Sequence, residues 1–157
     1  MPLPPRRRWP RVALGLVLGL YIAALLRLLV FKIETLHLGR LRFRFATHPD
    51  EPNYIPFKSI LTYLRGEPSA LIAALNLVGN VALFAPVGFL LPLVFPKMTA
   101  SGALALALAL IAAVEGAQIV FHVGILDVDD VILNALGVML GFGASRLLAR
   151  PPRPAAT

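Results

Sequence analysis

Residues 115–141 read EGAQIVFHVGILDVDDVILNALGVMLG, two apolar segments that meet across a short turn. The turn and its flanks carry Glu115, Gln118, His122, Asp127, Asp129, Asp130 and Asn134, and four of the chain's eight acidic residues fall between positions 115 and 130. Carboxylates beside segments greasy enough to enter a bilayer need something other than lipid to face. Residues three, four and seven apart share a face of a helix. Asp127, Asp130, Asn134, Gly137 and Gly141 therefore form one stripe of the later segment, and Glu115, Gln118 and His122 one stripe of the earlier.

The whole chain has the composition this stretch implies. It has 157 residues, 58% of them hydrophobic, with a mean hydropathy of +0.79, and the apolar residues come in runs of membrane-spanning length. The net charge of +7 would point to nucleic acid in a soluble protein. Here the basic residues flank apolar runs, where insertion topology and anionic lipid account for them, and no nucleic-acid partner is expected. The absence of cysteine excludes disulfides, thiolate catalysis and cysteine-ligated zinc.

Upstream of the quoted stretch, a tail over 1–11 with Arg6, Arg7, Arg8 and Arg11 precedes an apolar run over 12–31. That run is too long for a signal peptide and lacks a nearby cleavage site, so it reads as an uncleaved first span. Arg27 snorkels at its far end, and Gly15 and Gly19 give a weak packing signal. The polar segment 32–69 follows. In it Arg40, Arg42 and Arg44 alternate with Leu41, Phe43 and Phe45, a period-two pattern that fits either a short strand resting on the membrane or a cationic surface contacting phosphate-bearing headgroups. Pro56 then opens a short interfacial helix with Phe57, Ile60, Leu61 and Leu64 on one side, closed by Gly66.

Three further spans are expected over 70–95, 102–121 and 131–148. The second carries Asn76 and Asn80 on one face, is kinked at Pro86 and is ended by Pro92 and Pro96. The chain closes on a Pro/Arg tail over 149–157 with Arg150 and Arg153, after Arg146 at the end of the last span. The resulting architecture is an all-α polytopic membrane protein: one transmembrane domain over 12–148, a four-helix bundle with an interfacial helix and a short strand-like extracytoplasmic loop. Both termini and Lys97 fall on one side, and the positive-inside bias makes that side cytoplasmic. At 1.5 Å per residue, Asn76, Glu115 and Asn134 each lie roughly 9–10 Å below the outer ends of their helices. Three spans thus deliver polar groups to one depth. A charge at mid-bilayer costs roughly 3 kcal/mol and such groups usually face a bundle interior. One outward-opening polar pocket is therefore expected, built from Asn76, Asn80, Glu115, Gln118, Asp127, Asp129, Asp130 and Asn134.

These residues carry a resemblance. Asn53-Tyr-Ile-Pro56-Phe57, then Asn76-x-x-Gly79-Asn80-x-x-x-Phe84-x-Pro86-x-Gly88-Phe89-x-x-Pro92, then Glu115-x-x-Gln118, and finally Asp127-Val-Asp129-Asp130-x-x-x-Asn134-x-x-Gly137-x-x-x-Gly141 resemble the VanZ-like family of small bacterial membrane proteins. The resemblance covers about residues 53–141 and rests on the order and spacing of the pieces together. The family pattern often places an arginine shortly before the DxxD element, where this chain has Gly124. The resemblance implies a bacterial plasma-membrane location. It also implies a link to envelope or antibiotic sensitivity, since the founding member is associated with low-level resistance to the lipid-tailed glycopeptide teicoplanin.

Plainer roles stand beside the pocket. Asp127 or Asp129 can cap the last span, Asn76 and Asn80 can join helices, Gly137 and Gly141 can allow close packing, and His122 can sit at the interface without chemistry. Convergence of Glu115, Asp127 and Asp130 would raise a pKa or leave room for a divalent cation such as magnesium or calcium, although no cofactor is otherwise expected. Those three are the candidates for an acid/base or metal-assisted reaction on a lipid-linked substrate. No serine–base pair supports an enzyme. The leading expectation is a non-catalytic pocket whose partners are membrane lipids, a lipoglycopeptide or a lipid-linked envelope intermediate.

Overall fold

The computed structural model describes residues 9–30, 35–38, 41–44, 52–121 and 126–149. Five helices run as α1 (Trp9–Val30), α2 (Lys58–Leu64), α3 (Ala70–Val94), α4 (Ala100–Val120) and α5 (Val128–Leu148), with strands β1 (Thr35–Leu38) and β2 (Leu41–Arg44) between α1 and α2. All but α2 are long and apolar enough to cross a membrane. At 21–25 residues each they are about 30–38 Å long, enough for the hydrocarbon core. The protein is a polytopic helical membrane protein, as its composition requires.

Local chemistry sets the helix starts. The Ser69 hydroxyl accepts from the Ile72 amide at 3.3 Å and the Thr99 hydroxyl from the Gly102 amide at 3.1 Å. Asp127 does the same for α5 through the Asp129 amide at 2.9 Å. That cap starts α5 three residues earlier than apolar character alone suggests. It also corrects one expectation: Asp127 has extended backbone, φ −129° and ψ 116°, so it precedes the helix and does not share the stripe of Asp130 and Asn134. A second correction concerns Pro92. It is buried inside α3, which continues to Val94 and leaves Phe95 still donating to the Leu91 carbonyl at 2.8 Å. In an apolar bundle, neighbouring helices tolerate such a missing donor.

β1 and β2 pair antiparallel with Thr35 opposite Arg44 and Leu38 opposite Leu41, where the alternating sequence suggests a strand. Arg42 and Arg44 belong to β2. Their side chains lie outside the described part of the structure, as do Arg40, His122, Gly124 and the basic termini.

The tightest packing joins α3 to α5. A Cβ added at Gly141 would overlap the Ala85 carbonyl oxygen, one at Gly137 the Val81 oxygen, and one at Gly88 the Val138 oxygen. Without a hydrophobic drive between helices in lipid, such close approach is what makes dispersion contacts dense enough to hold them together. Around this seam are buried Phe84, Val87 and Leu91 of α3, Val138 and Phe142 of α5, Ala103, Ala107 and Ile111 of α4, and Leu18 and Leu25 of α1. α1 is further tied to α3 by the Tyr21 hydroxyl, which donates to the Leu83 carbonyl at 2.8 Å. At the opposite end from the acids, Arg146 lies over the Phe142 ring at 5.2 Å and donates to the carbonyls of Pro96 and Met98, fixing the α3–α4 connection. Leu16, Leu20, Val78, Leu136 and Leu140 are exposed, as a lipid-facing perimeter requires.

Replacing Gly141 or Gly88 by alanine is expected to cost about 1–3 kcal/mol, because the overlap is with backbone that cannot step aside. Gly143, with nothing within 4 Å of its added Cβ, is the control: Gly143→Ala should be neutral or stabilise by up to ~1 kcal/mol. Thermal unfolding of the detergent-solubilised variants separates the two cases, and equal behaviour at 141 and 143 would contradict the seam.

Candidate functional site

Two of the three aspartates in Asp127-Val-Asp129-Asp130 turn toward the segment before α2. Asn53 meets Asp127 in a parallel bridge: its amide donates to the Leu126 carbonyl at 2.9 Å and its carbonyl accepts from Val128 at 3.0 Å. This pins residues 53–60 onto the start of α5. The Asn53 side chain, 2% exposed, donates to Asp127 Oδ1 at 2.9 Å and to the Ser59 hydroxyl at 3.2 Å. Its Oδ1 accepts from the Ile55 amide at 3.1 Å, closing an Asx turn. Ser59 Oγ donates in turn to Asp127 Oδ2 at 2.6 Å.

Asp129 is 1% exposed. It accepts from the backbone amides of Phe57 at 2.5 Å, Ser59 at 2.7 Å and Ile60 at 3.1 Å. These are orphan donors of the first turn of α2, which no side chain of its own caps. Asp129 supplies that cap from a distant part of the chain. Phe57 stands in the left-handed region at φ 67°, a conformation that costs a non-glycine residue roughly 1–2 kcal/mol, and the hydrogen bond its backbone N–H donates to Asp129 offsets that cost. A carboxylate receiving three amide donors is also the way a buried charge becomes tolerable.

Asp130 faces the other way. Its Oδ1 accepts from Asn80 Nδ2 of α3 at 2.8 Å. Asn134, one turn deeper, is 6% exposed, and its Oδ1 is buried without a hydrogen-bond partner. Asp130, Gly137 and Gly141 all contact α3, so Asn134, on their stripe, lies on the side of α5 that faces α3. Asn76 is not brought into this group by its hydrogen bond, since its Nδ2 turns back to the Ile72 carbonyl at 2.9 Å within α3. Glu115 is half-buried on α4 with Oε2 enclosed, and the Gln118 side chain lies outside the described part. Among the described residues no three His, Cys, Asp or Glu side chains form a group that could hold a metal ion, so Glu115, Asp127 and Asp130 do not make the acidic triad their spacing allowed.

Tyr63, at the end of α2, completes the setting. Burial and then the charges of Asp130 and Asp127 hold its phenol above the ordinary value. Asn53, Ser59 and Tyr63 were not legible as site residues. Asn53 sits in a recognisable motif, but Ser59 and Tyr63 look like ordinary members of an interfacial helix. Beside them Tyr54, Ile55, Phe57, Leu61 and Leu64 are exposed, an apolar surface suited to lying at a membrane boundary.

The VanZ/LLP1 family model matches residues 16–149. Protein VanZ of Enterococcus faecium is 29% identical over 125 residues, which is 80% of this chain and 68% of that protein. No solved structure matches.

Two outcomes follow from the geometry. Asp129→Ala leaves amides of α2 without acceptors, so Ser59 and Ile60 should exchange with deuterium roughly 30-fold faster, on the order of 2 kcal/mol of local protection; unchanged exchange would sink the capping role. In a Tyr21→Phe, Tyr54→Phe background, Tyr63 should ionise above the ordinary value of about 10, and Asp130→Asn should lower that midpoint, read by phenolate absorbance. The neutral phenol is the form the fold favours, so this contribution to stability is full below about pH 10 and is lost as pH rises further.

Proposed function

The chain belongs to the VanZ/LLP1 family, and from that premise we propose that it is a multi-pass protein of the bacterial plasma membrane that binds an amphiphile's polar headgroup between α2, α3 and α5. Both termini are cytoplasmic and the site opens to the outer leaflet, a placement supported by Arg11, Lys97 and Arg146 at the opposite end from the acids. The observation that carries the reading is the Asn80–Asp130 pair with the buried, unpartnered Asn134 oxygen one turn deeper. These are polar groups on two spans, at one depth, beneath a segment with apolar residues exposed at its surface. An ionisable residue such as Asp130 inside a membrane bundle is costly and is a functional-site candidate by default. The bound amphiphile is a lipid, a lipoglycopeptide or a lipid-linked envelope intermediate, and binding changes envelope sensitivity. Of the acid/base candidates Glu115, Asp127 and Asp130, Asp127 is held by three donors, which favours binding over catalysis.

Asp130→Asn and Asn80→Leu should abolish the effect of the protein on lipoglycopeptide susceptibility in cells expressing it, while its membrane abundance stays within about twofold. Wild-type behaviour of both variants would refute the site for that ligand class. Orientation is tested separately. The native chain has no cysteine, so Glu67→Cys should react with an impermeant maleimide added to intact cells and Lys97→Cys should not.

A further inference from the structure

α2 presents three sides, and the fold accounts for one of them. At about 100° per residue, Ser59, Ile60 and Tyr63 fall together; all three are half-buried, and this side meets Asp127 and Asp129. Leu61 and Leu64 form a second side, and with Phe57 at the helix start they are 51–67% exposed. Lys58, Thr62 and Arg65, spaced at i, i+4 and i+7, form the third. The Thr62 hydroxyl returns to the Lys58 carbonyl at 2.9 Å, so what this side offers outward is an ammonium and a guanidinium, both exposed. Among the described residues neither cation is engaged by a carboxylate. The exposed acid that follows, Glu67, comes after Gly66, where a φ of 80° turns the chain out of the helix. The first turn of α2 is held by Asp129 at the start of α5, and Ser69, which caps α3, follows soon after its last residue. The helix therefore bridges the starts of two spans, at the level where hydrocarbon gives way to headgroups.

We propose that the outer surface of α2 docks on anionic phospholipid, with Phe57, Leu61 and Leu64 entering the acyl boundary and Lys58 and Arg65 engaging phosphates of the same leaflet. An exposed apolar side alone fits a protein partner as well as a membrane. The cations beside it decide, because a helix whose apolar side is edged by Lys and Arg binds through buried apolar area plus attraction to anionic lipid. With the leucines in contact with acyl chains, the long stems of Lys58 and Arg65 lie along the boundary and their charged ends rise to the headgroups. The two residues are roughly 10 Å apart along the axis, a separation that suits neighbouring headgroups better than one free phosphate. A net anionic lipid is selected over a zwitterionic one, whose own choline or amine already balances its phosphate. Asp129 closes the first turn of α2 from within the protein, so the surface is formed before lipid arrives. It is separate from the Asn80–Asp130 site and does not rest on that reading.

The native chain has no cysteine, so one bimane label at Leu61→Cys reports the lipid beside α2 in the full chain reconstituted in nanodiscs. Brominated acyl chains quench it, and moving the bromines between phosphatidylglycerol and phosphatidylcholine gives the local preference for one lipid over the other. Phosphatidylglycerol should be preferred by roughly fivefold for each of the two cations. Lys58→Gln with Arg65→Gln should bring the preference close to parity, whereas Lys58→Arg with Arg65→Lys should keep it. Both positions are exposed, so folding is not at stake, and Arg40, Arg42 and Arg44 stay in place, so the loss reports Lys58 and Arg65. A label at Leu61→Cys that no brominated lipid quenches, while one at the exposed Leu136→Cys of α5 is quenched, overturns the bilayer as the occupant. Disulfide crosslinking of two chains through Leu61→Cys overturns it in favour of a second copy. Equal quenching by the two lipids, or a preference that survives the double substitution to glutamine, overturns phosphate recognition. Inorganic phosphate that abolishes the preference where sodium chloride of equal ionic strength does not overturns the lipid in favour of a free anion. None of these outcomes touches the Asn80–Asp130 site, which is tested by its own variants.

Discussion

The backbone contact between α3 and α5 is the constraint on which the rest of the molecule depends. Gly88, Gly137 and Gly141 leave room for the carbonyl oxygens of Val138, Val81 and Ala85 where any side chain would collide. In lipid the helices gain nothing from burying leucine against leucine, so close approach is what makes association favourable. The same contact sets the register of the two helices. Because it does, Asp130 meets Asn80 and Asn134 is shut against α3.

The start of α5 depends on that placement and does a second job. Asp127 ends the loop and begins the helix, and Asp129 reaches across to cap α2. A seven-residue helix is marginal alone, since a first turn costs more order than one hydrogen bond returns. Here its open amides are closed by a carboxylate, and Asn53 and Ser59 lock the approach. The interfacial helix is therefore tied to α5 by charge-assisted hydrogen bonds while it rests against α3, and its apolar residues Phe57, Leu61 and Leu64 are left exposed to meet the membrane.

This division of labour explains why an acidic signature need not mean acid chemistry. Of three aspartates within four positions, two are spent on structure and one faces a neighbouring span. Conversely the least conspicuous member, Asn134, presents a buried acceptor that the hydrogen bonds among the described residues leave over. Sites inside bilayers are read best by asking which polar atoms the fold has not already satisfied.

Hydropathy and local chemistry determined the four spans, the short helix after Pro56, the strand pattern and the cap at Asp127, because each depends on residues within a few positions of one another. The glycine pair at 137 and 141 was likewise legible as a packing surface. Which partner each polar residue takes was decided by the tertiary structure alone. Asn76 and Asn80 look equivalent in the chain, yet one bonds its own helix and the other Asp130. Asp129 could cap its own helix as well as any other residue, and only the arrival of a segment seventy residues away turns it toward α2. A carboxylate or an amide suits many donors equally, so its spacing along the chain cannot choose among them; the approach of the backbones does.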